Sequence, residues 1–277
     1  MANISFIQYE MKSGEQKLSE ALYLRGFFVE ENKGIFSLVN GSEQDVKELK
    51  WLLEQCEIPV MWNDDKFQLL VNHLPTEKVS EIIHFAGRDH PVGMESYHFM
   101  WRSFVTRRFG IRISTLDNCP YTVMMAKALN IAGIVTLCGC NGHGKHQPNI
   151  RLSGVYNGIW FSIIQEEYLA DLSLHYRWNF EFNKNTNAAY ILAKKEKMED
   201  WDMIKVLADC EKMSNVLLNH AEGIRALKKQ CFKRNMKEKA EAMRIAGDLK
   251  GLYHWMKNIV EEQLSRDEKS LKFKRIS

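Results

Sequence analysis

The sequence predicts an α+β fold, with mixed antiparallel-sheet units followed by a helical C-terminal part. Short segments rich in β-branched and aromatic residues alternate with amphipathic helices over most of the chain. No proline follows Pro148, and residues 196–277 contain just three glycines, which favours long helices there. We therefore divide the chain into an N-terminal α+β unit (1–91), a central α/β hairpin unit (92–195) and a helical C-terminal region (196–277).

The composition is that of a globular protein. With 277 residues, 45% of them hydrophobic and 26% charged, the chain can bury a core without a disulfide or metal staple. A net charge of +3 gives little support for a nucleic-acid partner. The chain starts without a secretory signal pattern, and nowhere do 18 apolar residues run together. Since the six cysteines are also dispersed, we expect a cytoplasmic protein with reduced thiols and no membrane partner.

The N-terminal unit is predicted to contain two strand pairs, each followed by a helix. Residues 22–31 and 34–40 have the composition of strands and flank a turn. Ser42 then stands where an N-cap is expected, before apolar residues at helical spacing. The second pair and its helix follow at 58–62, 66–72 and from Pro75 to Gly87. No repeat at a fixed period is evident in the sequence.

The central unit is predicted to begin with an aromatic-rich helix at 92–108 and a short strand at 110–114. Asp117 and Asn118 precede Pro120, which predicts a capped helix start; that helix would end at Gly133. Two further strand pairings follow in the pattern, at 134–140 with 150–156, and at 175–182 with 188–195 around the polar tip NKNTN.

One stretch is chemically distinctive. Six of the sixteen glycines lie within 133–158, together with Cys138, Cys140, His143 and His146. Thiolate and imidazole are preferred zinc ligands, and residues i and i+2 of a strand project to the same face. One interpretation of this stretch is therefore a zinc site built from some of these four residues.

Two alternatives stay open for this stretch. In the first, the glycines form a tight hairpin, the cysteines are small core residues and no cofactor is bound. In the second, the N–H groups of Gly142 and Gly144 and the Lys145 ammonium bind an anion, although the spacing and hydroxyl of a Walker A loop are absent. No complete catalytic signature appears elsewhere in the chain.

In ALNIAGIVTLCGCNGHGKHQPNI a helix and a strand are followed by a loop with Cys140, His143 and Lys145, which we call the box. This order resembles a module in small uncharacterised proteins of phages and prophages. The resemblance covers about residues 117–153, and Cys138, Cys140, His143 and Lys145 are the matching positions. It differs in that Gly139 separates the two cysteines and Asn141 precedes Gly142. The resemblance implies a mobile-element origin, and hence the host cytoplasm as location; phage proteins in that setting include inhibitors of host defence, such as those of Gabija-type nucleases.

Two further features suggest partners. The hairpin at 175–195 alternates aromatic and polar residues around an exposed tip, which predicts an interface. Its proposed partner-binding residues are Trp178, Phe180, Phe182, Lys184, Asn185 and Tyr190. The segment 225–250 carries nine basic residues against three acidic ones, so a nucleic-acid partner stays open as a weaker alternative.

We therefore expect a non-enzymatic mobile-element protein that binds and blocks a host defence protein complex, acting as a homo-oligomer. The alternative is a zinc-dependent enzyme or RNA-modifying protein that uses the Cys138, Cys140, His143 and His146 box.

Overall fold

A computed structural model describes residues 12–39, 41–86, 100–106, 113–196 and 200–274, with side chains as far as residue 266. It confirms the α+β class: two four-stranded antiparallel sheets are combined with helices, and the C-terminal part is helical. Among the described helices, none is both long enough and apolar enough to cross a membrane.

The N-terminal unit is a sheet covered by helices on one face. Its strands are ordered β1-β2-β4-β3, all antiparallel. A separate hydrophobic core fills the space between this sheet and its helices. In chain order the elements are α1 (Gly14–Arg25), β1 (Val29–Asn32), β2 (Ile35–Leu38), α2 (Glu43–Gln55), β3 (Val60–Asn63), β4 (Lys66–Leu69) and α3 (Thr76–His84).

This unit is a tandem repeat of one ββα motif, which the sequence analysis missed. Residues 29–38 and 60–69 form equivalent hairpins, and four of their ten aligned residues are identical. The central strands β2 and β4 pair so that Phe36 lies opposite Phe67, its own equivalent, with ring centroids 5.0 Å apart. The two halves are therefore related by a local two-fold axis between these rings.

The predicted elements of this unit are largely confirmed. Ser42 caps α2 in a reciprocal capping box with Asp45, and the second strand pair lies where the sequence predicts it. The expectation of a strand from residue 22 is wrong, because Leu22 and its neighbours complete the buried face of α1, which ends at Gly26 with φ +96°.

The central unit contains the second sheet, ordered β5-β6-β8-β7. The predicted hairpins at 134–156 and 175–195 are both present, although the first return strand ends at Leu152 and a helix begins at Val155. Of the predicted helix at 92–108 only the end is described, and most of the strand expected at 110–114 lies outside the described residues. The elements are α4 (Trp101–Thr106), α5 (Thr122–Ile131), β5 (Thr136–Cys140), β6 (Asn149–Leu152), α6 (Val155–Ile164), β7 (Arg177–Asn183) and β8 (Ala188–Lys194).

The C-terminal helices share one core with the central sheet. Leu252, Met256 and Val260 recur at four-residue spacing on the last helix and are completely buried in that core. These residues form an apolar stripe that packs within the same chain. The elements are α7 (Met203–Asn219), α8 (Ala221–Cys231), α9 (Lys237–Ile245) and α10 (Leu249–Lys274).

Polar contacts join the N-terminal unit to the rest of the molecule. The buried Asp45 carboxylate of α2 forms an ion pair with Lys127 of α5, and accepts further hydrogen bonds from Ser42 and Thr115. Burial alone would raise the pKa of Asp45, but the Lys127 ammonium and the Ser42 donors outweigh it and hold the pKa below its ordinary value.

This ion pair predicts a large effect of one substitution on stability. We expect Asp45→Ala to lower the free energy of unfolding by about 3–5 kcal/mol, because it leaves the Lys127 ammonium without its partner in a buried position. Since the pKa of Asp45 is lowered on folding, the pair's contribution is present above the unfolded pKa of about 3.9 and is lost as the pH falls below it.

Urea denaturation at pH 7 and pH 3 measures both effects. Glu43→Ala is the matched control, because Glu43 is an exposed carboxylate in the same helical turn, and we expect a change of less than about 1 kcal/mol. Equal destabilisation by the two substitutions would contradict the assignment.

Candidate metal centre

Three soft ligands converge at the end of β5. The Sγ atoms of Cys119 and Cys140 and a ring nitrogen of His143 all lie within 4.8 Å of one another. Cys119 Sγ is 3.6 Å from His143 Nε2. The two cysteines are half-buried and the histidine is exposed, so the cluster lies at the surface of the central unit.

The turn after β5 places Cys140 and His143 side by side. Gly142, His143 and Gly144 all have positive φ, between 51° and 78°, so the chain reverses within three residues. The Asn141 side chain accepts a hydrogen bond from the His143 N–H at 3.0 Å and holds the turn. At the other end of the loop, Gly144 accepts a hydrogen bond from the Trp201 N–H at 3.3 Å. His143 is therefore held in a left-handed conformation that non-glycine residues rarely adopt.

Cys119 comes from a separate segment, which follows residues 115–116 and is held by hydrogen bonds from the N-terminal unit. Completely buried Arg25 of α1 donates hydrogen bonds to the carbonyls of Thr115 and Leu116, at 2.8 and 3.5 Å. From α2, Glu48 accepts hydrogen bonds from the N–H groups of the same two residues, at 2.7 and 3.1 Å. These two opposite charges satisfy the backbone of the segment that leads directly to Cys119.

The segment then docks on β5 and turns sharply. Asn118 accepts a hydrogen bond from the Gly139 N–H at 2.7 Å, and the Cys119 N–H donates to the Gly139 carbonyl. Tyr121 has φ 72° and ψ −63°, and the Thr122 N–H reaches the Pro120 carbonyl at 2.9 Å, which defines a γ-turn with positive φ. Such turns are strained, and strained backbone is concentrated at functional sites.

This turn corrects the predicted helix start. The helix begins at Thr122, after an N-cap at Tyr121 that makes no side-chain cap bond, so the expected capping by Asp117 or Asn118 is wrong. The Asn118 oxygen accepts from β5 because the segment runs alongside that strand.

The two thiols polarise each other. A hydrogen bond from the Cys119 thiol lowers the pKa of Cys140 to about 5, helped by the Gly142 N–H and by His143, although burial opposes it. The same hydrogen bond and burial raise the pKa of Cys119 well above its ordinary value. Cys140 is therefore a thiolate at neutral pH, with the Cys119 thiol as its donor.

The geometry matches the requirements of zinc. Zinc binds sulfur at about 2.3 Å and imidazole nitrogen at about 2.0–2.1 Å, so tetrahedral ligand atoms lie roughly 3.5–4 Å apart. The distance of 3.6 Å between Cys119 Sγ and His143 Nε2 falls in that range. The cluster can bind a soft divalent metal with small movements of the side chains.

The structure brings together two of the four predicted ligands. Cys140 and His143 lie in the cluster, whereas Cys138 and His146 lie outside it. Burial raises the pKa of Cys138, so its thiol is protonated at neutral pH. Cys119 was not among the predicted ligands, because it lies outside the glycine-rich stretch, among the dispersed thiols. The available signal was the spacing of Cys140 and His143, since two ligands separated by two residues form a common half-site that needs a partner elsewhere.

Of the donors predicted for an anion cradle, the Gly142 N–H is used within the loop itself. The Gly142 N–H donates to Cys140 Sγ at 3.4 Å, and the N–H groups of Lys145 and His146 donate to the Gly142 carbonyl. The Lys145 side chain is exposed. The anion that Gly142 stabilises is therefore the Cys140 thiolate.

The predicted partner-binding hairpin is mostly committed to the core. Trp178 is completely buried and donates to Asp209 at 3.1 Å, so its assignment as a partner anchor is wrong. Phe180 packs so closely on Gly158 that a Cβ there would lie 1.9 Å from the ring, and Phe182 also packs against the core. Register places Tyr190 opposite Glu181, on the other face of the sheet. The tip residues Lys184 and Asn185 are exposed.

The basic segment is partly turned inward. Arg225 donates to the Ile131 carbonyl at 2.6 Å, and buried Lys228 donates to the Gly133 carbonyl at 2.8 Å. Both cations satisfy the carbonyl end of α5, where positive charge is favourable. Fewer of the nine basic residues are therefore left for a nucleic-acid partner than the sequence suggests.

Comparison with known proteins gives no match: no family model, no curated protein and no solved structure is significantly similar to this chain. The chemistry of the site is therefore argued from its own residues.

The thiol geometry predicts an unusual pH dependence of alkylation. In metal-free protein we expect iodoacetamide to modify Cys140 with a half-maximal rate near pH 5, measured by mass spectrometry of the modified peptide. Cys119→Ala should move this midpoint upward, because it removes the hydrogen bond that contributes most to the lowered pKa.

Cys138→Ala is the control, since Cys138 lies on the same strand but outside the cluster, and the midpoint should not move. A wild-type midpoint near the ordinary thiol pKa of about 8.5 would show that the Cys119 hydrogen bond does not form.

Proposed function

We propose that the protein is a zinc-dependent enzyme whose metal is bound by Cys119, Cys140 and His143. The observation that carries the proposal is the convergence of these three ligand atoms within 4.8 Å, from two segments twenty-one residues apart in the chain. Surface cysteines and histidines that serve only packing have no reason to converge in this way.

The number of ligands supports an enzyme over a purely structural zinc site. Structural zinc sites generally have four protein ligands, whereas catalytic sites have three and leave one position for water or substrate. The described residues supply three, and His143 is on the exposed side of the cluster. Zinc bound in this way lowers the pKa of a bound water to about 7, which supplies a nucleophile at neutral pH.

The protein's own contribution is to hold the ligands before metal arrives. Cys140 is already a thiolate, so little free energy is needed to deprotonate it on binding. Arg25 and Glu48 fix the segment that carries Cys119, and Asn141 fixes the turn that carries His143. Water activation for a hydrolytic or deamination reaction is the chemistry that such a site supports best.

Metal analysis of purified protein tests the ligand set. We expect one zinc per chain in the wild type. The affinity for zinc should fall about tenfold or more in each of Cys119→Ser, Cys140→Ser and His143→Ala. Cys138→Ser and His146→Ala are matched controls from the same hairpin and should retain wild-type zinc. Zinc loss in the controls, or none in the three ligand variants, would contradict the ligand set.

Cobalt substitution tests the open position. Cobalt(II) in this site should show sulfur-to-metal charge-transfer bands that disappear in Cys140→Ser. Added azide should shift the visible cobalt bands, because it enters a position that the protein does not fill. If the spectrum does not respond to azide, the site is closed and structural.

The hypothesis of a phage protein that blocks a host defence protein as an oligomer stays a prediction. Trp178 and Phe180 no longer support it, because both are used by the core. Lys184 and Asn185, at the exposed tip, and Tyr190, on the outer face of the sheet, are its remaining candidates. Size-exclusion chromatography with mass detection checks the oligomer, and a strict monomer at high concentration would contradict it.

A further inference from the structure

We propose that the outer face of the central sheet binds the substrate of the zinc site, and that Arg151 holds an oxyanion of that substrate, either a phosphate or a carboxylate. This inference rests on the proposed function and names the class of substrate.

Strand register places Arg151 on the same face as the ligands. Cys140 lies opposite Asn149, and Cys138 lies opposite Arg151, so both pairs project to one side of the sheet. Arg151 in turn lies opposite Tyr190. Because residues i and i+2 of a strand are about 7 Å apart, the Arg151 position is one such step from the level of Cys140. Arg151 and Cys140 therefore share one face of the sheet, one such step apart along the strands.

The helices that pack on this sheet lie on its opposite face. Gly139 faces Thr122 of α5, since a Cβ at Gly139 would lie 3.1 Å from the Thr122 hydroxyl. Gly158 of α6 packs on Phe180, which shares the buried face. On the outer face, the side chains of Lys194 and Glu181 are 45% and 44% exposed. A ligand can therefore reach this face.

Arg151 has donor capacity that the described part of the protein does not use. Its Nε atom is buried and has no hydrogen-bond acceptor among the described residues. Its guanidinium carbon is 5.6 Å from the centre of the Tyr190 ring, which holds the planar group against the sheet. A buried guanidinium N–H without an acceptor is unfavourable, and an oxyanion would satisfy it when the Arg151 side chain moves outward to meet it.

The charges on this face favour an anion. The carboxylate of Glu181 pairs with Lys194, and that of Glu196 pairs with Arg177. Within the described residues, no carboxylate lies at ion-pair distance from Arg151. The planar fork of arginine matches phosphate and carboxylate through two parallel hydrogen bonds. An oxyanion is therefore the ligand that complements this position.

Titration of zinc-free protein with inorganic phosphate, and separately with acetate, tests the inference by following the arginine Nε–H signals, and in every variant the backbone amide signals of the central sheet, in ¹⁵N-correlated NMR spectra. Zinc is removed because both probes also coordinate the metal directly. We expect saturable shifts of the Arg151 signal, and a loss of affinity of about tenfold or more in Arg151→Gln. The stronger of the two probes identifies whether the substrate carries a phosphate or a carboxylate.

Arg177→Gln is the matched control, because Arg177 lies on the same sheet but is already paired with Glu196 at 2.8 Å. Its affinity for both probes should equal that of the wild type. Arg151→Lys keeps the charge and removes the planar guanidinium, so it should give an intermediate affinity. It replaces Arg151→Gln in the test if that variant is poorly folded. No saturable shift with either probe, or wild-type affinity in Arg151→Gln, would overturn the inference.

Zinc content, measured on the same variants, separates this inference from the proposed function. Arg151→Gln should still bind one zinc per chain, because Arg151 is not a ligand. If the wild type binds a probe through Arg151 but no zinc, the oxyanion site is supported and the proposed zinc-dependent function is contradicted. If it binds zinc but neither probe, only the oxyanion site falls.

Discussion

The candidate metal centre depends on two buried charged side chains that hold a loop through its backbone. Arg25 and Glu48 come from the N-terminal unit, yet their hydrogen bonds satisfy the backbone of Thr115 and Leu116, four and three residues before Cys119. Burial lowers the pKa of Arg25 to about 10, and the Glu48 carboxylate opposes that effect, so the guanidinium stays charged. Because removing either side chain would leave buried backbone groups without a partner, the two are a rigid support, and the N-terminal unit acts as the scaffold of a site in the central unit.

The turn at Gly142–Gly144 shows how a loop can prepare its own ligand. Its Gly142 N–H stabilises the Cys140 thiolate and its Asn141 side chain fixes His143. The loop therefore stabilises the thiolate form of Cys140 in the absence of metal. As a consequence, the ionisation of Cys140 is linked to the conformation of the loop. The Gly142 N–H is therefore committed to the thiolate, while Arg151, on the neighbouring strand, keeps an unused donor.

Sequence patterns predicted the elements better than their contacts. Period-two alternation correctly gave the hairpin of β7 and β8, but alternation cannot tell which face meets the core, so buried Trp178 and outward Tyr190 were assigned to one surface. The box gave Cys140 and His143 because they are close in sequence. Cys119 was not predictable in the same way, since its position depends on Arg25 and Glu48, which are about ninety and seventy residues away from it.

The two copies of the ββα repeat differ in the charged residues of their helices: those of α2 contact the central unit, and those of α3 face solvent. The third and sixth residues of α2 are Asp45 and Glu48, which hold the central unit through Lys127 and the loop. Their equivalents in α3 are Lys78 and Glu81, which form an exposed ion pair with each other at 3.0 Å. Two copies of one motif, with the charged inward contacts confined to the first, are what gene duplication followed by specialisation produces. The second copy supports the metal centre by its C-terminal end, where the Phe85 carbonyl accepts a hydrogen bond from Arg25 and His84 packs edge-on against Tyr121.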